Sequence, residues 1–189
     1  VLTTSFVHGS PFEEACGATE AERRAFAETL WRFVFKGNLV GGMFNADPHP
    51  GNYLFHDDGT VTFLDFGCVQ KISPDKQRDA RRMHRAALDG DTTAFEIAAT
   101  RMMSMKPGPL AKASLAYCHD CFQPLLRRPF RFTRPYAADL LVKMKELAAV
   151  AKGAKDDEFF TMPTDVLFIN RLQFGFYSVL ARLDVELDW

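Results

Sequence analysis

The sequence predicts a mainly α-helical fold carrying one small β-hairpin, and three observations support it. Apolar residues recur at helical spacing in about six segments, each opened by a capping residue or proline. One stretch reads as a hairpin: Tyr53-Leu54-Phe55, a turn at Asp57-Asp58-Gly59, then Val61, Phe63 and Leu64 returning. Asp-Gly there supplies the positive φ that a tight turn wants. Finally, 189 residues without an internal repeat or low-complexity tract fit one domain over 1–189 with a sizeable core.

Val1–Val7 is apolar and rich in β-branched residues, which predicts a buried strand, broken at His8-Gly9-Ser10-Pro11. The chain opens inside that pattern without a Met, so the strand is expected to have sheet neighbours in a longer parent. Thr19 with Glu22 is a capping-box signature. The helix it opens carries Phe26, Leu30, Trp31, Phe33 and Val34 and is expected to close at Gly37. Ser73 and Pro74 open a basic helix that ends near Gly90. Asp91 caps the next, with Phe95, Ile97, Ala98 and Met102 as its apolar residues. Pro107-Gly108-Pro109 is a loop, and the helix from Leu110 to Phe122 is ended or kinked by Pro124. Another helix runs from Thr133 to Lys152 and closes at Gly153. After a polar, exposed stretch over Lys152–Glu158, Thr161 and Pro163 open the last helix, to about Leu183.

Composition narrows the function classes. Hydrophobic residues are 47% and charged residues 25%, the profile of a soluble globular protein. A formal net charge of −1 gives no global field for nucleic acid or an anionic membrane, so nucleic acid is not an expected partner. The longest apolar runs fall far short of the roughly 18 residues that span a bilayer. These features suggest a cytoplasmic protein, peripheral to a membrane at most. Two basic patches stand out: Lys76, Arg78, Arg81, Arg82 and Arg85 on one helix, and Arg127, Arg128, Arg131 and Arg134 alternating with Phe130 and Phe132. The first reads as a solvated face or a phosphate-facing stripe, and the second suits lipid headgroups. Of four cysteines, Cys118 and Cys121 flank His119 and Asp120 in a C-x-x-C. With no second ligand pair, they are expected to be buried thiols rather than a zinc site.

Chemistry concentrates between Gly41 and Gly67. Asp47 and Asn52 form D-x-x-x-x-N, and one hairpin later comes Asp65-Phe66-Gly67. In kinase-type phosphoryl transfer the first Asp handles the acceptor hydroxyl, the Asn takes one metal ion and the D-F-G Asp takes the other. A D-F-G tripeptide arises by chance about once in 7,000 positions, so its place one hairpin after D-x-x-x-x-N argues against coincidence. No Ala-Pro-Glu follows, and only Cys68–Ile72 separate Gly67 from the Ser73 cap. That leaves little room for a peptide-binding platform and favours a small or lipid-like acceptor, or ATP hydrolysis.

Ala46–Asn52 (A-D-P-H-P-G-N), followed by Leu64–Gly67 (L-D-F-G), resembles the AarF/UbiB-type atypical kinases, a protein-kinase-like family linked to ubiquinone biosynthesis. Residues 1–12 are similar to that family's hinge strand and residues 162–189 to its last long helix. The resemblance implies a protein-kinase-like C-terminal lobe: hinge strand 1–7, catalytic loop and metal-site hairpin 41–67, helical remainder 73–189. The N-terminal lobe, with its phosphate-covering loop, strand Lys and partner Glu, would be absent from these residues. ATP and Mg²⁺ are the implied cofactors, and a membrane lipid or a quinone-precursor-like small molecule is the implied partner. Asp47 would be catalytic, and Asn52 and Asp65 would hold the metal. The backbone of Ser5, Phe6 and Val7 would face the adenine, with Leu54 as its floor. His49 and Pro50 would shape the loop, since Mg²⁺ prefers oxygen ligands. The family usually has His at the position of Asn45, where it braces the D-F-G backbone, and Asn can donate and accept in its place.

Two alternatives stay open. A small-molecule kinase of the aminoglycoside or choline type shares H-x-D-x-x-x-x-N, although Phe66 counts against it. A pseudokinase-like module would bind nucleotide without turnover.

Overall fold

The structure is a computed structural model that describes residues 3–153 and 164–189. Its first helix, α1 (Phe12–Cys16), is a single short turn whose Phe12 sits against Phe55. Helix α2 (Glu20–Lys36) opens with the expected capping box: the Glu22 amide donates to Thr19 Oγ1 at 3.4 Å, and the Thr19 amide donates to the Glu22 carboxylate at 2.8 Å. The two bonds satisfy amides that the first turn leaves without intrahelical partners. Phe26, Leu30 and Val34, spaced four apart, are buried along one face.

Gly37 does not close this helix, contrary to expectation. The backbone continues as one wide π turn over Gly37–Gly41 and stops at Gly42, whose φ of 65° is left-handed. The next helix accounts for this. From α3 (Pro74–Asp89), Gln77 Nε2 donates to the carbonyls of Leu39 and Val40 at 3.3 and 3.2 Å, and Arg81 donates to Leu39 O. Those donors cap carbonyls that a terminating α-helix leaves open.

Strand β1 (Met43–Asn45) leads into the loop, a 3₁₀ turn follows at Pro50–Asn52, and β2 (Tyr53–Phe55) pairs with β3 (Val61–Phe63). This is the expected hairpin, in the register Tyr53 to Phe63, with Gly59 at φ 81°. Past it comes an unexpected strand, β4 (Val69–Lys71), antiparallel to β1, with Asn45 opposite Val69. The short link from Gly67 to Ser73 is thus a strand in its own right.

The strand expected over Val1–Val7 does not form in its described part, and Val1 and Leu2 lie outside the described residues. Among the described residues, 3–9 have no ladder partner, and the first β-type pairing is the bridge from Ser10 to Phe55, with bonds of 2.8 and 2.9 Å. Phe6 is 83% exposed and Val7 is also exposed, so no burial offsets the cost of ordering a strand there.

The remaining helices follow the caps. Ser73 accepts from the Lys76 amide at the start of α3, and Gly90 ends it at φ 71°. Asp91 accepts from the Ala94 amide at 2.9 Å to open α4 (Thr92–Met102), which packs on α3. Ile97 was expected on the apolar stripe of α4 and is 51% exposed. It lies two residues past buried Phe95, roughly 200° around the helix. After α5 (Pro109–Cys121) the axis breaks at Phe122 and resumes as the short α6 (Gln123–Leu126), so Pro124 sits in the first turn of a new helix. Thr133 accepts from the Tyr136 amide ahead of α7 (Arg134–Gly153), and α8 is described over Thr164–Leu183. Thr161, Pro163 and the polar stretch beyond Gly153 lie outside the described residues. A last pairing, β5 (Phe130–Arg131) with β6 (Glu186–Leu187), folds the chain end back so that Trp189 Nε1 donates to Phe130 O at 2.7 Å. The described residues thus hold eight helices where six were expected, the extra two being the short α1 and α6. No described helix is long and apolar enough to cross a membrane.

Candidate active site

The loop after β1 is built by hydrogen bonds. Ala46 is fully buried, and its amide donates to Cys68 O at 3.0 Å, which extends the β1–β4 ladder to the edge of the D-F-G turn. Asn45, one residue earlier, ties the two halves of the site together. Its Nδ2 donates to the Asp65 carbonyl at 2.7 Å, and its Oδ1 accepts from the Asp47 amide at 3.2 Å. Asn45 therefore braces the D-F-G backbone, as its donor and acceptor groups allow.

Asn52 lies beside Asp47. Its Nδ2 donates to Asp47 Oδ2 at 3.1 Å, so the amide nitrogen is committed and the amide oxygen is turned away from that carboxylate. The Leu64 amide donates to Asn52 O at 2.9 Å, which sets Asp65 one residue beyond a direct link to Asn52. Asp65 Oδ1 accepts from the Gly67 amide at 2.6 Å, the Asx turn that shapes D-F-G. A side chain at Gly67 would place its Cβ 3.0 Å from that same oxygen. Asp47 and Asn52 are half-buried, and Asp65 and Phe66 are exposed. Burial, and after it the charge of Asp47, pushes the Tyr53 phenol well above its usual range, which marks Tyr53 as a neighbour of the loop carboxylate.

His49 works within the loop: its Nδ1 accepts from the Gly51 amide at 3.1 Å, and its carbonyl accepts from the Asn52 amide at 2.9 Å. That supports loop shaping by His49. Among the described residues no three His, Cys, Asp or Glu side chains cluster in a way that would hold a metal by themselves. The oxygens of Asn52 and Asp65 instead fit a hard cation that completes its shell with water and phosphate.

At the other end of the hairpin, Gly9 lies directly on Leu54; a Cβ at Gly9 would approach Leu54 Cβ to 2.9 Å. Leu54 is half-buried beneath the incoming chain, whereas Ser5, Phe6 and Val7 are exposed. The structure brings Asp47, Asn52 and Asp65 together and does not bring Ser5–Val7 into a strand beside them.

Sequence reasoning missed Gly175 of α8. A Cβ there would stand 2.4 Å from Pro48 Cγ, so the absence of a side chain lets the loop after β1 seat on the helix. A lone Gly inside an apolar helical run, between Phe174 and Phe176, was the available signal. The β1–β4 ladder was also missed.

Other candidates dissolve into the fold. Cys118 and Cys121 are both buried; burial pushes Cys121 up to about 12 and Cys118 higher still. His119 points instead to Glu96, at 3.6 Å, and lies on the Phe95 ring. In the second basic patch Phe132 is fully buried and Phe130 packs on it, so those rings belong to the core rather than to a headgroup surface. In the first patch, Arg78 and Arg82 pair with Asp75 and Asp79 along their own helix.

A helical lobe, with a paired hairpin presenting Asp47, Asn52 and a D-F-G turn at its rim, has the architecture of a protein-kinase-like C-terminal lobe. A family model for the ABC1 atypical kinase-like domain matches residues 1–99, and the chain belongs to that family. Its relatives include the Arabidopsis thaliana chloroplastic protein ACTIVITY OF BC1 COMPLEX KINASE 3, 38% identical over 82 residues, covering 42% of this chain and 11% of the relative. An uncharacterized Synechocystis protein is 54% identical over 76 residues, covering 39% of this chain and 11% of its own. A solved Mycobacterium tuberculosis protein, Rv3197 in complex with erythromycin, superposes with a TM-score of 0.65 at 17% identity. That alignment covers 96% of this chain and 45% of the other, and it establishes likeness of fold. The matches to the first two curated relatives span 16–17% of the relatives' own length.

Proposed function

We propose that these residues form the lower wall of an ATP- and Mg²⁺-dependent site for phosphoryl transfer or ATP hydrolysis. The observation that carries this reading is the Asn45 clasp, which joins the Asp47 amide and the Asp65 carbonyl through one side chain. A single residue thereby fixes the spacing between the group that meets the acceptor and the group that meets the metal. Bound Mg²⁺ would supply charge neutralisation at the nucleotide phosphates. Asn52 and Asp65 would offer it oxygen ligands, and Asp47 would orient the acceptor hydroxyl or a water and take up its proton. Leu54 would carry the adenine, with the chain at Gly9 along its edge. The phosphate-covering loop and lysine would come from outside these 189 residues, so the chain alone is expected not to turn over ATP. The short link from Gly67 to the Ser73 cap, with strand β4 within it, leaves little room for a peptide platform. The acceptor is accordingly read as a small or lipid-like molecule, with the family resemblance pointing to quinone precursors.

The test uses the intact parent protein. Asp65→Asn should abolish Mg²⁺–nucleotide binding in calorimetry, whereas Asp47→Asn should keep binding and lose phosphate release. Unchanged Mg²⁺–ADP affinity in Asp65→Asn would sink the assignment. Nucleotide binding by the wild-type parent without turnover would instead favour a regulatory module.

A further inference from the structure

A cleft of about 270 Å³ opens where α1, the loop after β1 and α8 meet. Phe12, Pro48 and Val179 are buried in its lining, and Pro50 is half-buried beside them. Asp47 forms part of the wall and is half-buried, while His49 and Ser178 are exposed at the rim. Gly175 and Ser178, nearly one turn apart on α8, leave the entrance clear, since one has no side chain and the other a short one.

The polar groups narrow what such a cleft can take. Arg182 is already engaged: its guanidinium pairs with the Glu13 carboxylate and lies 4.7 Å from the centroid of the Phe12 ring. Among the described residues the lining therefore offers no unpaired Arg or Lys to an incoming anion, and the Asp47 carboxylate repels one. Burying a charge without a partner is costly, so an uncharged guest is favoured. His49 Nδ1 accepts from the Gly51 amide, which leaves the ring proton on Nε2. An ionised carboxylate has about four acceptor positions, and Asn52 takes one of those on Asp47 Oδ2. A hydroxyl in the cleft can thus donate to Asp47 while its apolar body covers Phe12, Pro48 and Val179. Benzene enters cavities of roughly 150 Å³, so this volume has room for one substituted ring.

Resting on the phosphoryl-transfer reading of Asp47, we propose that this cleft is the acceptor subsite and selects an uncharged, one-ring molecule whose hydroxyl donates to Asp47. In the transfer the hydroxyl oxygen bonds to the γ-phosphorus of ATP, and the bond from that phosphorus to the β–γ bridging oxygen breaks. ADP leaves with that electron pair, and the hydroxyl proton passes to Asp47. The products are ADP and a phosphate monoester.

Three probes test this: p-cresol, p-methylanisole, which has the same shape without the donor, and p-hydroxybenzoate, in which a carboxylate replaces the methyl group. Each is titrated into the intact parent protein by calorimetry without nucleotide. The first should bind saturably and at least tenfold more tightly than either comparator. Ser178→Phe, which fills the rim from an exposed position, should weaken p-cresol at least tenfold. With Mg²⁺–ATP added, phosphorus NMR should show the cresyl phosphate ester, lost in Ser178→Phe. The proposal is overturned if p-cresol does not saturate, if either comparator binds as well, or if a folded Ser178→Phe variant binds it normally. Should Ser178→Phe not fold, the three-probe comparison decides alone. Phosphate release from ATP without any ester would overturn the acceptor assignment and leave the ATPase reading standing. Saturable p-cresol binding in a parent that neither binds Mg²⁺–ATP nor releases phosphate would instead overturn the phosphoryl-transfer reading, and the acceptor role with it.

Discussion

Around Phe132, five aromatic rings from Trp31, Phe130, Tyr136, Tyr177 and Trp189 close on one buried side chain, with centroids 4.6–6.0 Å from its own. Around Asp65 the neighbours are polar and the apolar residues face outward: Leu64 is 52% exposed, Phe66 54% and Met43 45%. The first region is held by non-directional burial, which tolerates small shifts and resists loss of volume. The second is held by short, directional bonds through Asn45, Asn52 and the Gly67 amide, each worth about 1 kcal/mol when half-exposed. Stability therefore resides in the aromatic cluster and geometry in the loop, and substitutions in the two should separate melting from local structure.

The largest expected effect is in the cluster. Phe132→Ala should cost about 4 kcal/mol in urea unfolding, since the side chain is fully buried among rings that cannot collapse onto a methyl. A loss below about 1 kcal/mol would show that burial there does not carry the fold.

His84 comes next and is read by pH. Its folded pKa of about 4 lies below the ordinary 6.5, so between those values the unfolded chain binds more protons than the folded one. Stability from this group is complete above pH 6.5, falls as pH drops toward 4 and is level below that. The span is about 2–3 kcal/mol, allowing for a residue that is half-buried although its Nε2 is enclosed. Comparing wild type with His84→Phe across that window isolates it, and parallel curves would contradict the burial of the ring.

Gly175 joins the two regions. Ala in a helix interior normally gains about 1 kcal/mol over Gly. Here the 2.4 Å approach to Pro48 should cost about 2–3 kcal/mol and leave a net loss of about 1–2. Amide shifts should concentrate at Asp47–Gly51. A stabilised Gly175→Ala would mean that the loop does not rest on α8.

The smallest effect is the most local. Asn45→Ala should lower stability by about 1 kcal/mol, yet accelerate amide exchange at Asp47 and disturb the Asp65–Gly67 turn. Unchanged exchange at Asp47 would remove Asn45 from the role of brace.

Much of this was legible in residue types whose preferences act within one turn of chain. Thr19 with Glu22, Ser73 with Pro74, and Asp91 fixed helix starts because each side chain caps amides a few residues away. Asp58-Gly59 marked the hairpin turn for the same reason. The loop residues were legible as one candidate cluster, because the hairpin between Asn52 and Asp65 returns the chain to the same loop.

Errors arose where the deciding partner was distant in sequence. Gly37 looked like a helix stop, but Gln77 and Arg81, about forty residues on, supply the donors that let the turn continue to Gly42. Val69–Lys71 looked like a connector because a three-residue strand has no pattern of its own, and only β1 alongside makes it one. Residues 3–7 looked like a strand from their composition, yet β-structure needs a neighbour to bond to, and none lies beside them among the described residues. By itself the sequence determined the caps and the hairpin and singled out Asp47, Asn52 and Asp65 as candidates, since these rest on local backbone preference and on functional-group chemistry. Only the tertiary structure decided that Asn45 clasps two of them, that Gly175 seats their loop and that His84 and Asn38 face one cavity, because each requires elements far apart in the chain to meet.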